Sequence, residues 1–287
     1  MPEDRDDSRQ HGGLMILGSA AAFSAAGFCA RLTAVDAWTT LFWRSLFGGL
    51  LIAGYIIWSQ RGRVLTAFRS IGPTGCLIAG CATLGSICYI NALRRTTVAD
   101  VTLIYAAAPF LTAGIGWLRK GEPPSRSTLF ASAVALVGVA LMVCAAISSN
   151  HLAGNVLALI MTVVTAVMMV LIRRHRETPM LPASCLSAFA IAALMLPVAR
   201  PLSPSAIEFV HLALFGAQFG LGLLLLTLGT RLISATRSAL IGNLEIPLSP
   251  AWVWLAFNEV PPTATVIGGS LVVLAVAADV LLARTRL

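Results

Sequence analysis

The residues of this chain that could do chemistry stand out because nearly everything around them is apolar. The stretch Ala239–Trp252 holds Asn243, Glu245, Ser249 and the prolines Pro247 and Pro250 within an otherwise apolar run. A carboxylate near the centre of a bilayer costs about 2.5–3.5 kcal/mol on insertion scales, so one placed there faces protein or water. Ser249 follows Glu245 by one helical turn and can donate a hydrogen bond to it. Such a carboxylate suits the amino group of a substrate or a transported proton; the plainer role is a polar clamp between helices. Gln218 and Tyr105 lie near the middle of two other apolar runs, where either could hydrogen-bond a carboxylate or amine on a zwitterion. Tyr89 and Asn91 stand toward the end of a further run, a level at which tyrosine is often only an interfacial anchor. Arg44 sits in Leu41-Phe42-Trp43-Arg44-Ser45. It could pair with an anionic group, or snorkel to the headgroup level marked by Trp38 and Trp43.

Enzymatic patterns are missing from the sequence. His11, His151, His175 and His211 are scattered without metal-ligand spacing, and neither a Gly-x-Ser-x-Gly nor a phosphate-cradling Gly-x-x-x-x-Gly-Lys-Ser/Thr occurs. Cys29, Cys76, Cys81, Cys88, Cys144 and Cys185 show no Cys-x-x-Cys spacing and read as small packing residues. We therefore expect no catalytic residues, no metal and no cofactor. Asp100 and Asp279 read as interfacial. Glu122 and Glu259, each shortly before a proline pair, read as turn residues.

The elements that must position these groups are membrane helices. Apolar residues make up 57% of the 287, charged residues 11%, and mean hydropathy is +0.86. A soluble domain carries roughly a quarter charged residues. Spans of about twenty apolar residues cross a bilayer, and ten can be placed, at 14–30, 38–58, 71–91, 98–118, 128–147, 152–172, 181–199, 206–228, 235–257 and 263–283. Residues 1–13 form a polar tail, read as disordered and cytoplasmic; 14–147 and 152–283 are two five-helix halves. The net charge of +8 would suggest an acidic partner in a soluble protein. Here it sets orientation: fifteen Lys and Arg fall on one side, and only Arg31, Arg94, Arg95 and Arg200 on the other. The positive-inside rule puts both termini in the cytoplasm. No nucleic-acid partner is expected. Gly138, Gly268 and Gly269 allow close packing, within one chain or in a homodimer.

The halves also resemble each other. With Pro109 on Pro247, an offset of 138 residues, Tyr105 falls on Asn243, and Trp117-Leu118-Arg119-Lys120-Gly121-Glu122-Pro123-Pro124 aligns with the segment from Trp254 to Pro262, with one insertion. Two five-helix copies must run in opposite senses, which gives an inverted repeat around a midplane cavity. Ala92-Leu93-Arg94-Arg95-Thr96-Thr97, Ala108-Pro109-Phe110, Lys120-Gly121-Glu122 and Leu244-Glu245-Ile246-Pro247 resemble motifs of the EamA-like members of the drug/metabolite transporter superfamily. That family often reads Leu-Glu-Pro where this chain has an extra isoleucine. The resemblance implies an inner-membrane permease exporting amino acids or related small metabolites. Its site would be lined by Glu245, Asn243, Gln218, Tyr105, Tyr89, Asn91 and Arg44. Uptake, or export of a drug-like or vitamin-like compound, is the rival within transport; a scaffold or an enzyme for lipid-linked substrates is the rival outside it.

Overall fold

The computed structural model of the chain describes residues 3–60, 64–118, 151–175, 179–230, 241–242 and 244–260, with isolated residues at 130, 133, 134, 137, 138, 141, 232, 263, 266, 267, 270, 271, 273 and 274. Among them every regular element is a helix. In hydrocarbon each backbone polar group must be satisfied within its own segment, and long apolar stretches accordingly become helices. In chain order these are α1 (Glu3–Ser24), α2 (Ala26–Leu32), α3 (Ala37–Gln60), α4 (Val64–Arg69), α5 (Gly72–Leu93), α6 (Val98–Tyr105), α7 (Ala108–Leu118), α8 (Leu152–Arg174), α9 (Met180–Met195), α10 (Ala206–Gly229) and α11 (Glu245–Phe257). Five stretches among the described residues are long and apolar enough to cross a membrane: Gln10–Leu32, Ala37–Gln60, Gly72–Leu93, Leu152–Ile172 and Ala206–Gly229. Their outward residues are apolar, as lipid requires; Ile57, Trp58, Leu77, Val163 and Leu214 are all exposed.

These bounds follow most of the expected spans to within a few residues. The span expected at 14–30 is interrupted at Ala25, and the one expected at 235–257 is broken at Leu244, with α11 starting at Glu245. Two further differences stand out. The first helix begins at Glu3 rather than near Leu14, so most of the polar segment read as a disordered tail is helical. The span expected at 98–118 is two helices, α6 and α7, parted at Ala106–Ala107. The expected spans at 128–147 and 263–283 fall mostly outside the described residues.

The chain forms two compact units. One comprises Met1–Thr83 and Glu177–Ala256, the other Leu84–Arg176 and Phe257–Leu287, so each draws on both expected halves. In the first unit α3 packs against α9 and α10, and α10 also packs on α1. Glycines make this possible. A Cβ on Gly216 would lie 2.5 Å from Phe47 Cβ and 2.8 Å from the Arg44 carbonyl oxygen. On Gly48 it would meet Phe219 at 2.8 Å, and on Gly220 the Gly48 carbonyl at 3.0 Å. Gly216-x-x-x-Gly220 is thus the close-approach face of α10, a known route to tight packing where lipid and side chains are equally apolar. Ser19 Oγ donates to the Gly222 carbonyl at 2.8 Å, tying α1 to the opposite side of α10.

The N-terminus of α3 is fixed by Asp36. Its carboxylate accepts from the Trp38 and Thr39 backbone N–H groups at 2.9 and 3.0 Å and from Thr39 Oγ1 at 2.6 Å. Thr39 Oγ1 in turn accepts from Arg200 N at 2.9 Å, and Trp43 Nε1 donates to the Pro201 carbonyl at 3.1 Å. The turn between α9 and α10 is thereby held to the start of α3.

In the second unit α8 packs on α6 and α7. Gly154 touches the turn before α6 so closely that a Cβ would lie 2.6 Å from Thr96 Cβ.

Candidate functional site

Glu245 is the first residue of α11, not the middle of a continuous helix. Ile241 and Gly242 are helical, Leu244 is a turn, and Leu244 N donates to Ile241 O at 3.1 Å in a tight three-residue step. The prolines explain the break. Pro247 is the third residue of the new helix, where the missing N–H has no helical partner to lose, and Pro250 lies within it. The half-buried carboxylate therefore stands at a helix start, where free N–H groups and the helix dipole favour negative charge. Ser249, one turn on, is 1% exposed. Asn243 lies outside the described residues.

The first unit supplies two more of the expected groups. Gln218 Nε2 donates to the Ala22 carbonyl at 2.6 Å, which fixes the amide's orientation. Its Oε1 is buried and has no hydrogen-bond partner among the described residues. A buried acceptor left so costs about 1–3 kcal/mol, and a ligand donor would recover it. Arg44 is 3% exposed and does not snorkel. Its guanidinium carbon lies 4.2 Å from the Phe219 ring centroid and 5.0 Å from that of Phe215, a cation–π arrangement worth about 2 kcal/mol when desolvated. Its neighbour Trp43 joins a cluster with Phe42, Phe47 and Phe209. Near Gln218, Trp252 Nε1 of α11 donates to Ser24 Oγ of α1 at 3.0 Å. No sequence pattern marked that pairing of residues 228 positions apart.

In the second unit Tyr105 is the last residue of α6, at the helix break, and is half-buried. The break is closed by Ala107 N donating to Ile104 O at 3.2 Å, and Pro109 is the second residue of α7. Tyr89 is half-buried on α5. Asn91 is buried and donates Nδ2 to its own helix at Ile87 O, 2.9 Å away. Tyr105, Tyr89 and Asn91 thus belong to one unit, and Glu245, Gln218 and Arg44 to the other.

Asp100, expected at an interface, and Glu259, expected in a turn, belong to a polar cluster in the second unit. Asp100 is 3% exposed. Thr97 caps α6 by accepting from Asp100 N at 3.0 Å, and Glu259 Oε1 accepts from Val98 N at 3.0 Å. Thr96 Oγ1 lies 2.8 Å from Asp100 Oδ2 and 2.6 Å from Asn155 Oδ1. One hydroxyl carries one proton and cannot donate to both. The chemistry closes if Thr96 donates to Asp100 and the Asn155 amide is turned, so that its otherwise unpartnered Nδ2 donates to Thr96. The pair Thr97-x-x-Asp100 is a readable cap signal; the contacts to Asn155 and Glu259, 59 and 161 residues distant, are not.

A cavity of about 400 Å³ opens in the first unit, where the end of α3, α4, the start of α9 and the end of α10 meet. None of the expected site residues that the structure describes lines it.

Comparison with known proteins gives three results. Residues 10–144 match the EamA-like transporter family. The pseudopaline exporter CntI of Pseudomonas aeruginosa strain UCBPP-PA14 is 28% identical over 251 residues, 86% of each chain, and its counterpart in a second strain is 29% identical over 258 residues. A solved crystal structure shares the fold, with a TM-score of 0.69 at 20% identity over 96% of this chain and 99% of the other.

Proposed function

We propose that this chain, a multi-pass membrane protein carrying an EamA-like transporter family domain over residues 10–144, exports small polar metabolites by alternating access, with amino acids as the leading class. The observation that carries this reading is the matched pair of helix breaks. One lies at Ala106–Ala107 and the other at Leu244, and under the 138-residue offset they fall on equivalent positions. Each is closed by a three-residue backbone step and followed by a proline in the first turn of the next helix. Broken helices at equivalent places in two repeats are the usual seat of a carrier's substrate site. They support ten spans in two inverted five-helix repeats, although the structure describes only part of the fifth and tenth.

Glu245 stands at the second break and Tyr105 at the first. Together with Gln218, Arg44, Tyr89, Asn91 and Asn243 they are the residues we propose to meet the substrate. Glu245 receives its amino group or carries a proton, Gln218 Oε1 accepts from a substrate N–H, and Arg44 balances a carboxylate. The Lys and Arg bias of the loops supports an orientation with both termini cytoplasmic, and an inner-membrane location goes with the EamA-like reading.

The relatives favour a second reading of the cargo, since both are named as exporters of pseudopaline. Counterflow in vesicles containing the purified chain separates the two. Preloaded amino acids and preloaded pseudopaline are each tested for acceleration of labelled substrate exchange. Acceleration by amino acids supports the leading reading and acceleration by pseudopaline the second; exchange of neither removes both.

A further inference from the structure

We infer that the cavity formed by α3, α4, α9 and α10 is a lipid site, and that it holds the glycerol–ester segment of a membrane phospholipid irrespective of headgroup charge. The inference is independent of the transported substrate.

The sequence builds this cavity by folding α4 back onto the end of α3. Val64 and Phe68, on one side of α4, pack on the core formed by Ile52, Ile56 and Cys185. Gly72, with φ +61°, allows the chain to turn directly into α5. With Val64 and Phe68 committed inward, Thr66, Ala67 and the following Ser70 border the cavity. The opposing wall is Met180, Leu181 and Pro182 of α9 with Leu228 of α10. One wall therefore offers hydrogen bonds and the other is apolar.

Two features select the occupant. First, among the described residues none of the twelve that line the cavity is charged. The described walls offer no counter-ion to an amino acid or a phosphate, whereas neutral ester groups need none. Ester oxygens only accept hydrogen bonds, and donors are available. The side chains of Tyr55, Gln60 and Thr66 donate to no other described residue, whereas Ser59 and Ser70 already spend their hydroxyl protons on Ile56 O and Ala67 O.

Second, the cavity lies at the right depth. α3 has 24 residues and measures about 36 Å at 1.5 Å per residue, against a hydrocarbon thickness of about 30 Å. Its last turns consequently reach the glycerol level. Tyr55 and Trp58 mark that level as an aromatic belt, with rings 5.9 Å apart and Trp58 72% exposed. A volume of about 400 Å³ falls within the range of pockets that hold small ligand groups. It takes the ester segment while the acyl tails run out along Leu181 and Leu228 into the bilayer.

The test uses the full chain in phosphatidylcholine vesicles doped with a phosphatidylcholine bearing a photoreactive diazirine next to the ester carbonyl. Adducts are mapped by peptide mass spectrometry. The site predicts adducts concentrated in residues 55–70 and 179–182, displaced equally well by phosphatidylethanolamine and phosphatidylglycerol. Water-soluble glycerol phosphate and amino acids do not displace them. Ala67→Phe, which fills the cavity, removes these adducts. Tyr55→Phe combined with Thr66→Val adds no bulk and lowers them about tenfold through two lost hydrogen bonds. Adducts spread evenly over the lipid-facing helices, or unchanged in both variants, overturn the lipid site. Displacement by amino acids reassigns the cavity to polar solutes, and strong preference for the anionic lipid reassigns it to headgroup charge; either result defeats the inference.

Discussion

Replacing Gly216 by alanine tests the packing on which the position of Arg44 depends. The added methyl would stand 2.5 Å from Phe47 Cβ, 2.8 Å from Arg44 O and 3.0 Å from Gly48 N. Carbon contacts are comfortable at about 3.5–4.0 Å, so α3 and α10 must part by roughly 1 Å. Two of the three obstacles are backbone atoms, which no rotamer change can move aside. Overpacking of this kind costs about 1–3 kcal/mol, and the upper half of that range applies here. The variant should therefore lose about 2–3 kcal/mol in a reversible unfolding titration in mixed micelles. Gly54→Ala is the control, because a Cβ there meets nothing within 4 Å. It lies on α3, the helix against which Gly216 of α10 packs, and should gain up to about 1 kcal/mol from helix propensity. Equal stability of Gly216→Ala and wild type would refute the close α3–α10 contact, and with it the seating of Arg44 against Phe215 and Phe219.

Two other perturbations read separate parts of the fold. Partial burial works to raise the Asp36 carboxyl, but hydrogen bonds from Thr39 and the backbone of Trp38 outweigh it and hold it below its ordinary value of 3.8. A depressed folded value means the group's contribution is complete above its unfolded value and is lost as pH falls below about 4. Stability titrations should show that acid loss in wild type and a shallower one in Asp36→Asn. Glu259→Ala removes the acceptor of Val98 N and should cost about 1 kcal/mol, as loss of a helix cap does. Hydrogen exchange should quicken at the start of α6 while α3 and α10 are unaffected; uniform protection at Val98 would contradict the cap.

The long helices were legible because a membrane span is written as a run of apolar residues. The stretches 38–58, 152–172 and 206–228 reappear as α3, α8 and α10 with only their ends moved. Which faces meet was not legible, since the lipid and the protein interior are equally apolar and impose little periodic contrast. The sequence offers Gly138, Gly268 and Gly269 for close packing, yet among the described residues the contact that organises α3 and α10 runs through Gly48, Gly216 and Gly220. Arg44 could be seen to lie within a span, but its burial under Phe219 depends on a helix more than 170 residues away. In the sequence Glu245 is a costly group within an apolar run, and its prolines disrupt a continuous helix. What the structure adds is that the chain resolves both by starting a helix there. Asp100 and Glu259 allow only a local reading, because Asn155, which joins Asp100 through Thr96, and Val98, whose N–H Glu259 accepts, are brought there by tertiary packing.

The central claim is that polar groups at and near the helix breaks meet the cargo. Its most direct measurement is the export rate of an established substrate from vesicles holding equal amounts of folded wild type, Glu245→Gln and Gln218→Ala. Loss of one ligand hydrogen bond, about 1.4 kcal/mol, corresponds to tenfold. Glu245 and Gln218 substitutions should each slow export by about that factor or more, with helix content and melting unchanged. Wild-type export rates in both variants would contradict the account.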